Sequence, residues 1–290
     1  MISSHRPAVE SLKPPRALPP PVPPPPEPME ARLSRLPRPD GPVRHVEVLA
    51  SVDSTNRRVL DDGRQGLLLV AMEQTMGRGR HGNAWSSPPG GLYMSYAPPG
   101  DLMPPRPTDL SILASLAVAS AVERALERAG AGGVRALLKW PNDVLVGDGK
   151  VAGVLVQSRG PPAPVVGVGI NVNTPVDLEE DRPVEEWPVG PMALCQVAGG
   201  PLDLVDLAGD LAGELTRRVA TGLDPGAVEE YRGRCHTLGR RVAFSDGTSR
   251  TTGTATGIDP EDGALMVRLG DGTLRRVTSG EVRHVRSVRG

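Results

Sequence analysis

An α+β fold with a small β-barrel at its C-terminal end is the architecture the sequence predicts, and three observations predict it. Short apolar runs of strand length, Leu67 to Ala71 and Leu92 to Ala97, alternate with segments of helical spacing. The longest helical segment, Thr108 to Ala129, brings Leu110, Leu113, Ala117, Ala121 and Ala125 onto one face. After about His236 the texture changes to short β runs separated by Asp246-Gly247, Asp262-Gly263 and Asp271-Gly272. Asp-Gly favours tight hairpins because both positions tolerate positive φ, and three such signals in a short region suggest a barrel.

The elements follow in order. Fourteen of the 32 prolines precede residue 43. Proline removes a donor and fixes φ, so residues 1–42 read as a disordered or polyproline II leader, a solvated appendage in preference to an SH3-type ligand. The composition becomes globular at Val43. Val46 to Leu49 reads as a strand, and Asp53-Ser54-Thr55-Asn56 opens a short helix with an oxygen-rich cap. Beyond the two buried strands and the long helix, Val134 to Leu138, Val151 to Gln157 and Val165 to Val172 read as strands. Leu204, Leu207, Leu211, Leu215 and Val219 mark an amphipathic helix, and Asp224-Pro225 starts another. The domains expected are thus a leader at 1–42, a catalytic unit at 43–236 and a small β unit at 237–290.

Composition narrows the function. A chain of 290 residues with net charge -1 has room for one sizeable core plus a small domain, and it is not a globally basic coat for nucleic acid. The start has no apolar h-region. The longest apolar stretch, Ile112 to Val122, falls well short of the roughly 20 residues of a membrane span, so a soluble, cytoplasmic protein is expected. Cys195 and Cys235 lack zinc or redox spacing and read as structural thiols, while the five histidines are scattered. No metal ligand is assigned.

Three segments carry chemistry. Gly77-Arg78-Gly79-Arg80-His81-Gly82 matches G-x-G-x-x-G, but Asn83 to Gly91 cannot supply the helix a dinucleotide site requires. An Arg-Gly nucleic-acid segment is a second reading. Lying between two apolar strands, the loop is better suited to close over a small anion. Its glycines admit the backbone to a ligand, and its arginines offer planar forks. The second segment is Lys139-Trp140-Pro141-Asn142-Asp143, followed by Lys150 to Gln157. Against thirty arginines the chain has only Lys13, Lys139 and Lys150, so two lysines near one turn suggest positions that need a compact ammonium. Asp143 is placed either to hold Mg²⁺ or to orient a lysine. The third is Gly167-Val168-Gly169-Ile170-Asn171-Val172-Asn173, a strand ending in two amides, for which a turn role and a ligand role are equally open.

Taken in order, Asp53 to Asn56, Glu73-Gln74-Thr75-Met76-Gly77-Arg78-Gly79-Arg80, Lys139 to Asp143 and Gly167-x-Gly169-Ile170-Asn171 resemble the biotin protein ligase family over about residues 45 to 285. Leu238-Gly239-Arg240 and Gly257-Ile258-Asp259 with Gly263-Ala264-Leu265 look like that family's SH3-like domain. The chain departs from the family pattern at Met76, Asn83 and Gln157. The resemblance implies a core like that of class II aminoacyl-tRNA synthetases, with a mixed, largely antiparallel sheet.

It also implies an activity in which biotin and ATP, with Mg²⁺, form biotinyl-5′-AMP. The biotinyl group then passes to a lysine of biotin carboxyl carrier protein, with no nucleic-acid or membrane partner. Catalysis is expected of Arg78, Arg80 and Lys139. Biotin contacts are expected of Ser54, Thr55, Asn56, Gln74, Arg78, Gly79, Arg80, Lys139 and Gly153, and ATP or adenylate contacts of Gly77, Arg78, Trp85, Asn142 and Asn171. Two-function members carry a winged-helix domain that a proline-rich leader cannot form, so no repressor function is expected. Two alternatives remain. A lipoate-type ligase should lack the Gly-Arg-Gly-Arg loop. An RNA-binding module should expose stacking aromatics, yet the chain from Leu238 onward has only Phe244.

Overall fold

Proline spacing sets where regular structure begins. The computed structural model describes residues 28–33, 35, 41–104, 106–160, 164–175, 190–245, 250–278 and 282–284. The polyproline runs of the leader and the Asp246-Gly247 pair lie outside the described residues. Between Pro28 and Pro37 no proline interrupts the chain, and there α1 (Met29–Leu33) forms. Met29 is buried in the core and Arg32 pairs with Asp206. The expectation that residues 1–42 lack regular structure is corrected here: a short proline-free run, an apolar anchor and a partner for its charge suffice for a docked turn of helix.

The sheet starts with β1 (His45–Leu49), which α2 (Thr55–Asp62) connects to its parallel neighbour β2 (Leu67–Ala71). Next come β3 (Leu92–Ala97), α3 (Pro107–Arg128), β4 (Ala136–Lys139), β5 (Asp143–Val146), β6 (Gly149–Gln157), β7 (Val165–Ile170) and the two-residue β8 (Gly190–Pro191). The order is β1-β2-β3-β7-β6-β5-β4, with β8 parallel to β6 and the pairings from β2 to β4 antiparallel. This is the mixed, largely antiparallel sheet expected. The strand sought at Val134 to Leu138 begins two residues later, that at Val165 to Val172 stops at Ile170, and β5 was not anticipated. Its signal was the Gly147-Asp148 pair, where Gly147 at φ 57 turns the chain tightly into β6.

Alternation along the strands decides what each face carries. Leu68 and Val70 of β2, Leu92, Met94 and Tyr96 of β3, and Val166, Val168 and Ile170 of β7 enter the large core beneath α3. On the opposite face Leu67, Leu69, Ala97 and Val165 pack with Val59 of α2. Over the middle strands that second face carries a patch of small residues, Ser95, Gly153, Gly167 and Gly169.

Helix ends are chemically marked. Ser54 caps α2, which stops at Gly63 in the left-handed region, and Pro107 opens α3 with Asp109 in its first turn. The short α4 (Leu194–Ala198) precedes α5 (Leu204–Thr221), whose first amides bond to Asp203. Asp224 caps α6 (Pro225–Arg234) through Ala227 N–H. Leu207, Leu211, Leu215 and Val219 are the buried stripe of α5, as the spacing predicts. No described helix is long and apolar enough to cross a membrane.

The C-terminal unit holds β9 (Arg241–Ser245), β10 (Arg250–Ile258), β11 (Leu265–Leu269), β12 (Leu274–Val277) and β13 (Val282–His284). They form one antiparallel sheet in the order β12-β11-β10-β9-β13. Asp271-Gly272 makes the β11 to β12 turn, with Gly272 at φ 88, and Asp262-Gly263 lies in the β10 to β11 connection, with Gly263 at φ 72.

Candidate active site

The small side chains on the second face of the sheet leave a cavity of about 190 Å³ above β6 and β7. Gly153, Leu155, Gly167 and Gly169 form its floor, the start of α2 one wall, and the glycine-arginine loop another. The β4 to β5 turn and Lys150 close the far side, and Val282 reaches in from the C-terminal sheet.

The α2 wall is a hydrogen-bond network. Thr55 donates its N–H and its hydroxyl to Gln74 Oε1 at 2.8 and 3.0 Å, and Gln74 Nε2 donates to Ser87 Oγ at 2.9 Å. Asn56 Nδ2 donates to Leu155 O at 3.1 Å and Gln157 Oε1 at 2.8 Å, while its Oδ1 accepts from Ser95 Oγ at 2.6 Å. Ser95 is fully buried, and its Oγ also lies 2.8 Å from Thr55 Oγ1. Asn56 has therefore spent both donors on protein. Its place is to hold the wall rigid, and a satisfied buried network of this kind fixes side-chain orientation before any ligand arrives.

The opposite side is cationic. Arg78, Arg80, Lys139 and Lys150 line the cavity, with Asp143 the one lining carboxylate among the described residues. Asp143 Oδ1 lies 2.7 Å from Lys150 Nζ and Oδ2 lies 3.6 Å from Lys139 Nζ, so of the two roles open to it the lysine-orienting one is observed. Asn142 Nδ2 donates to Val154 O at 2.9 Å, and Arg80 Nη1 reaches Asn142 Oδ1 at 3.5 Å. Four cations over one carboxylate suit an anionic ligand with separated charges.

With Asp143 taken by two lysines, and no cluster of three His, Cys, Asp or Glu among the described residues, the lining does not fit a protein-held Mg²⁺. Behind the turn, His236 N–H donates to Leu138 O at 2.8 Å. Burial, helped by Arg240 and Lys139 and opposed by Asp148, holds the His236 imidazole below the ordinary value of 6.5.

The cavity thus gathers Ser54, Thr55, Asn56, Gln74, Arg78, Gly79, Arg80, Trp85, Lys139, Asn142 and Gly153 from five separate stretches of chain. Two expected nucleotide residues are not in the lining. Asn171 donates to Met192 O at 3.2 Å and Lys150 O at 3.4 Å, the turn role left open for a strand-end amide. Gly77 accepts from Trp85 N–H at 3.0 Å, and a Cβ there would stand 2.5 Å from Trp85 O and from Ser87 Oγ. Both hold the frame of the site. Ser95 and Val282 were missed, and Gly169 was singled out in its motif but given no contact. A lone serine within the apolar run Leu92 to Ala97 was the readable signal for the first.

Comparison with known proteins supplies what geometry alone leaves open. Residues 48–174 match the model of the biotin/lipoate A/B protein ligase family, and residues 237–285 match that of the biotin protein ligase C terminal domain. A biotin–[acetyl-CoA-carboxylase] ligase of Paracoccus denitrificans is 33% identical over 231 residues, covering 76% of this chain and 93% of that protein. The chain belongs to the biotin protein ligase family. The ligase of the same designation from Mycobacterium tuberculosis is 32% identical over 256 residues, covering 84% of this chain and 90% of that one. The biotin protein ligase of Aquifex aeolicus in complex with biotin and ATP superposes with a TM-score of 0.65 at 27% identity, covering 84% of this chain and 100% of the other.

Membership of the biotin protein ligase family disfavours both alternatives. The C-terminal match is to a biotin ligase module, which speaks against a lipoate-type enzyme. Phe244 is buried, so it is no platform for a stacked base.

Proposed function

We propose that this cavity activates biotin with ATP to biotinyl-5′-AMP and then delivers the biotinyl group to a lysine of biotin carboxyl carrier protein. The observation that carries the reading is the pairing, in one cavity, of a rigid polar wall with a cluster of four cations. Biotin offers an uncharged ureido ring at one end and a carboxylate at the other, and ATP brings further anionic oxygens.

A carboxylate is a poor acyl donor because attack on it adds charge to an anion. In the first step its oxygen attacks the α-phosphorus of ATP and pyrophosphate leaves. Two anions approach, so the transition state needs fixed positive charge, which Arg78, Arg80 and Lys139 supply. Any Mg²⁺ travels on the nucleotide's phosphates as part of the substrate. Ser54, Thr55 and Gln74 face the ureido end, with Asn56 behind them as their support. Sites built of matched polar groups reject analogues lacking a partner by factors on the order of 10⁴. Gly79 and Arg80 close over the ligand, Trp85 covers the adenine, and Asn142 orients Arg80.

In the second step the carrier's lysine amine attacks the adenylate carbonyl, the C–O bond to AMP breaks and an amide forms. Holding both partners in line lowers such barriers by about 7–11 kcal/mol in favourable cases. The test is biotin-dependent exchange of pyrophosphate into ATP, followed by Lys139→Ala. The exchange is expected in the native chain and should fall about 100-fold or more in the variant. Absence of exchange in the native chain removes the adenylation reading, and undiminished exchange in the variant removes Lys139 from it.

A further inference from the structure

The adenylation reading places Arg78, Arg80 and Lys139 at the reacting groups and gives Lys150 no task beyond its share of the positive charge. Lys150 nevertheless has a defined place. Its Nζ lies 2.7 Å from Asp143 Oδ1 and 5.1 Å from the centroid of the Trp85 ring. One ammonium therefore joins a carboxylate on β5 to an indole at the far end of the glycine-arginine loop.

The indole in turn rests on the cross-strand pair Gly153 and Gly169. A Cβ at Gly169 would stand 2.5 Å from Trp85 Nε1, and one at Gly153 would stand 3.1 Å from Cζ3. Trp85 Nε1 is buried with no hydrogen-bond partner. The ring is thus not held by a hydrogen bond of its own, and keeping the N–H unsatisfied there has a cost. What fixes it is the bare glycine floor beneath and the cation over the ring. Lysine suits the position because a compact ammonium reaches Asp143 Oδ1 while the last methylene before it, Cε, lies 3.6 Å from the place of a Gly153 Cβ.

We propose that Lys150 is a positioning residue: tethered by Asp143, it holds the Trp85 indole on the Gly153 and Gly169 floor and so sets the geometry of the nucleotide end of the cavity. The proposal rests on the adenylation reading, in which Trp85 covers the adenine. Lys150 acts through the ring and touches no reacting atom.

A double-mutant cycle on the full chain tests this. Lys150→Met is expected to raise KM for ATP about tenfold, with kcat and KM for biotin changing less than about threefold. In a Trp85→Leu background the same change should add less than about twofold, because the ring through which Lys150 acts is gone. An equal penalty in both backgrounds overturns the proposal.

A second measurement needs no turnover. Acrylamide quenching of Trp85 fluorescence, taken as the difference from Trp85→Leu, is expected to rise about twofold in Lys150→Met and in Lys150→Gln. Unchanged quenching in both overturns the proposal as well. Failure of the adenylation reading looks different: the native chain shows no exchange while the quenching difference persists.

Discussion

A Cβ placed on Gly167 would overlap Asn56 Oδ1 and stand 2.6 Å from its Cγ. Asn56 cannot retreat, since it is 5% exposed and pinned by Leu155 O, Gln157 Oε1 and Ser95 Oγ. Gly167→Ala is therefore expected to disrupt the wall that Thr55 and Gln74 share with Asn56. Biotin affinity measured by calorimetry should weaken at least about tenfold, with about 1–3 kcal/mol of stability lost to overpacking. Native biotin affinity in that variant would contradict the role given to the network. At this scale the sequence was informative where residue types were rare. Lys139 and Lys150 stood out among thirty arginines and do converge on Asp143. It was silent where the role depends on which face a strand turns to the cavity. Ser95 matters because alternation puts it opposite Met94 and beneath α2, and the bond that Asn171 Nδ2 makes was hidden because its carbonyl partner belongs to Met192, 21 residues along the chain.

The glycine-arginine loop is the element on which the chemistry of the cavity depends most, and its construction is spare. Gly79 N–H donates to Asn83 O at 2.8 Å, Asn83 N–H to Arg80 O at 3.1 Å and Trp85 N–H to Gly77 O at 3.0 Å. His81 turns the tip with φ 56, a region a non-glycine residue enters only with some strain, and Met76 at the base is 51% exposed. A loop held by a few backbone bonds with little apolar burial opens at low free energy. Tryptic cleavage after Arg78 or Arg80 is expected to slow at least about fivefold when biotin and ATP are added, as the arginines engage the ligand. Equal cleavage rates with and without the pair would show that the loop does not close on them. Other elements were legible to the extent that their burial is one-sided or complete. The runs Leu67–Ala71 and Leu92–Ala97 match β2 and β3, and α3 begins one residue from the expected start. β5 and α1 escaped because each has only four or five residues, too few for a period to register, and owes its existence to neighbours.

The whole molecule is organised around the β4 to β5 turn, which faces the cavity on one side and the C-terminal sheet on the other. Trp140 Nε1 donates to Gly263 O at 2.9 Å, and Trp140 N–H donates to Thr237 Oγ1 at 3.0 Å. The residues that hold Lys139 and Asn142 in place are thus anchored on the barrel, which also contributes Val282 to the lining. His236 stands at this seam, and it makes the seam sensitive to pH. Arg240 Nη2 lies 2.7 Å from His236 Nε2 and Arg240 Nε donates to His236 O at 2.8 Å. A guanidinium only donates, so Nε2 must accept, and the folded state requires a neutral ring. Burial, with Arg240 and Lys139 adding to it against Asp148, accordingly puts the folded value below the unfolded 6.5. As pH falls below 6.5 the unfolded chain takes up the proton first. The contribution of His236 is whole above that value, is lost through the window down to the folded value, and changes no further below it. Replacing the ring by an amide that accepts from Arg240 without titrating removes only this component. His236→Gln is therefore expected to lose less Tm than the native chain between about pH 7.5 and pH 5, and parallel Tm curves over that range would take the pH dependence away from His236.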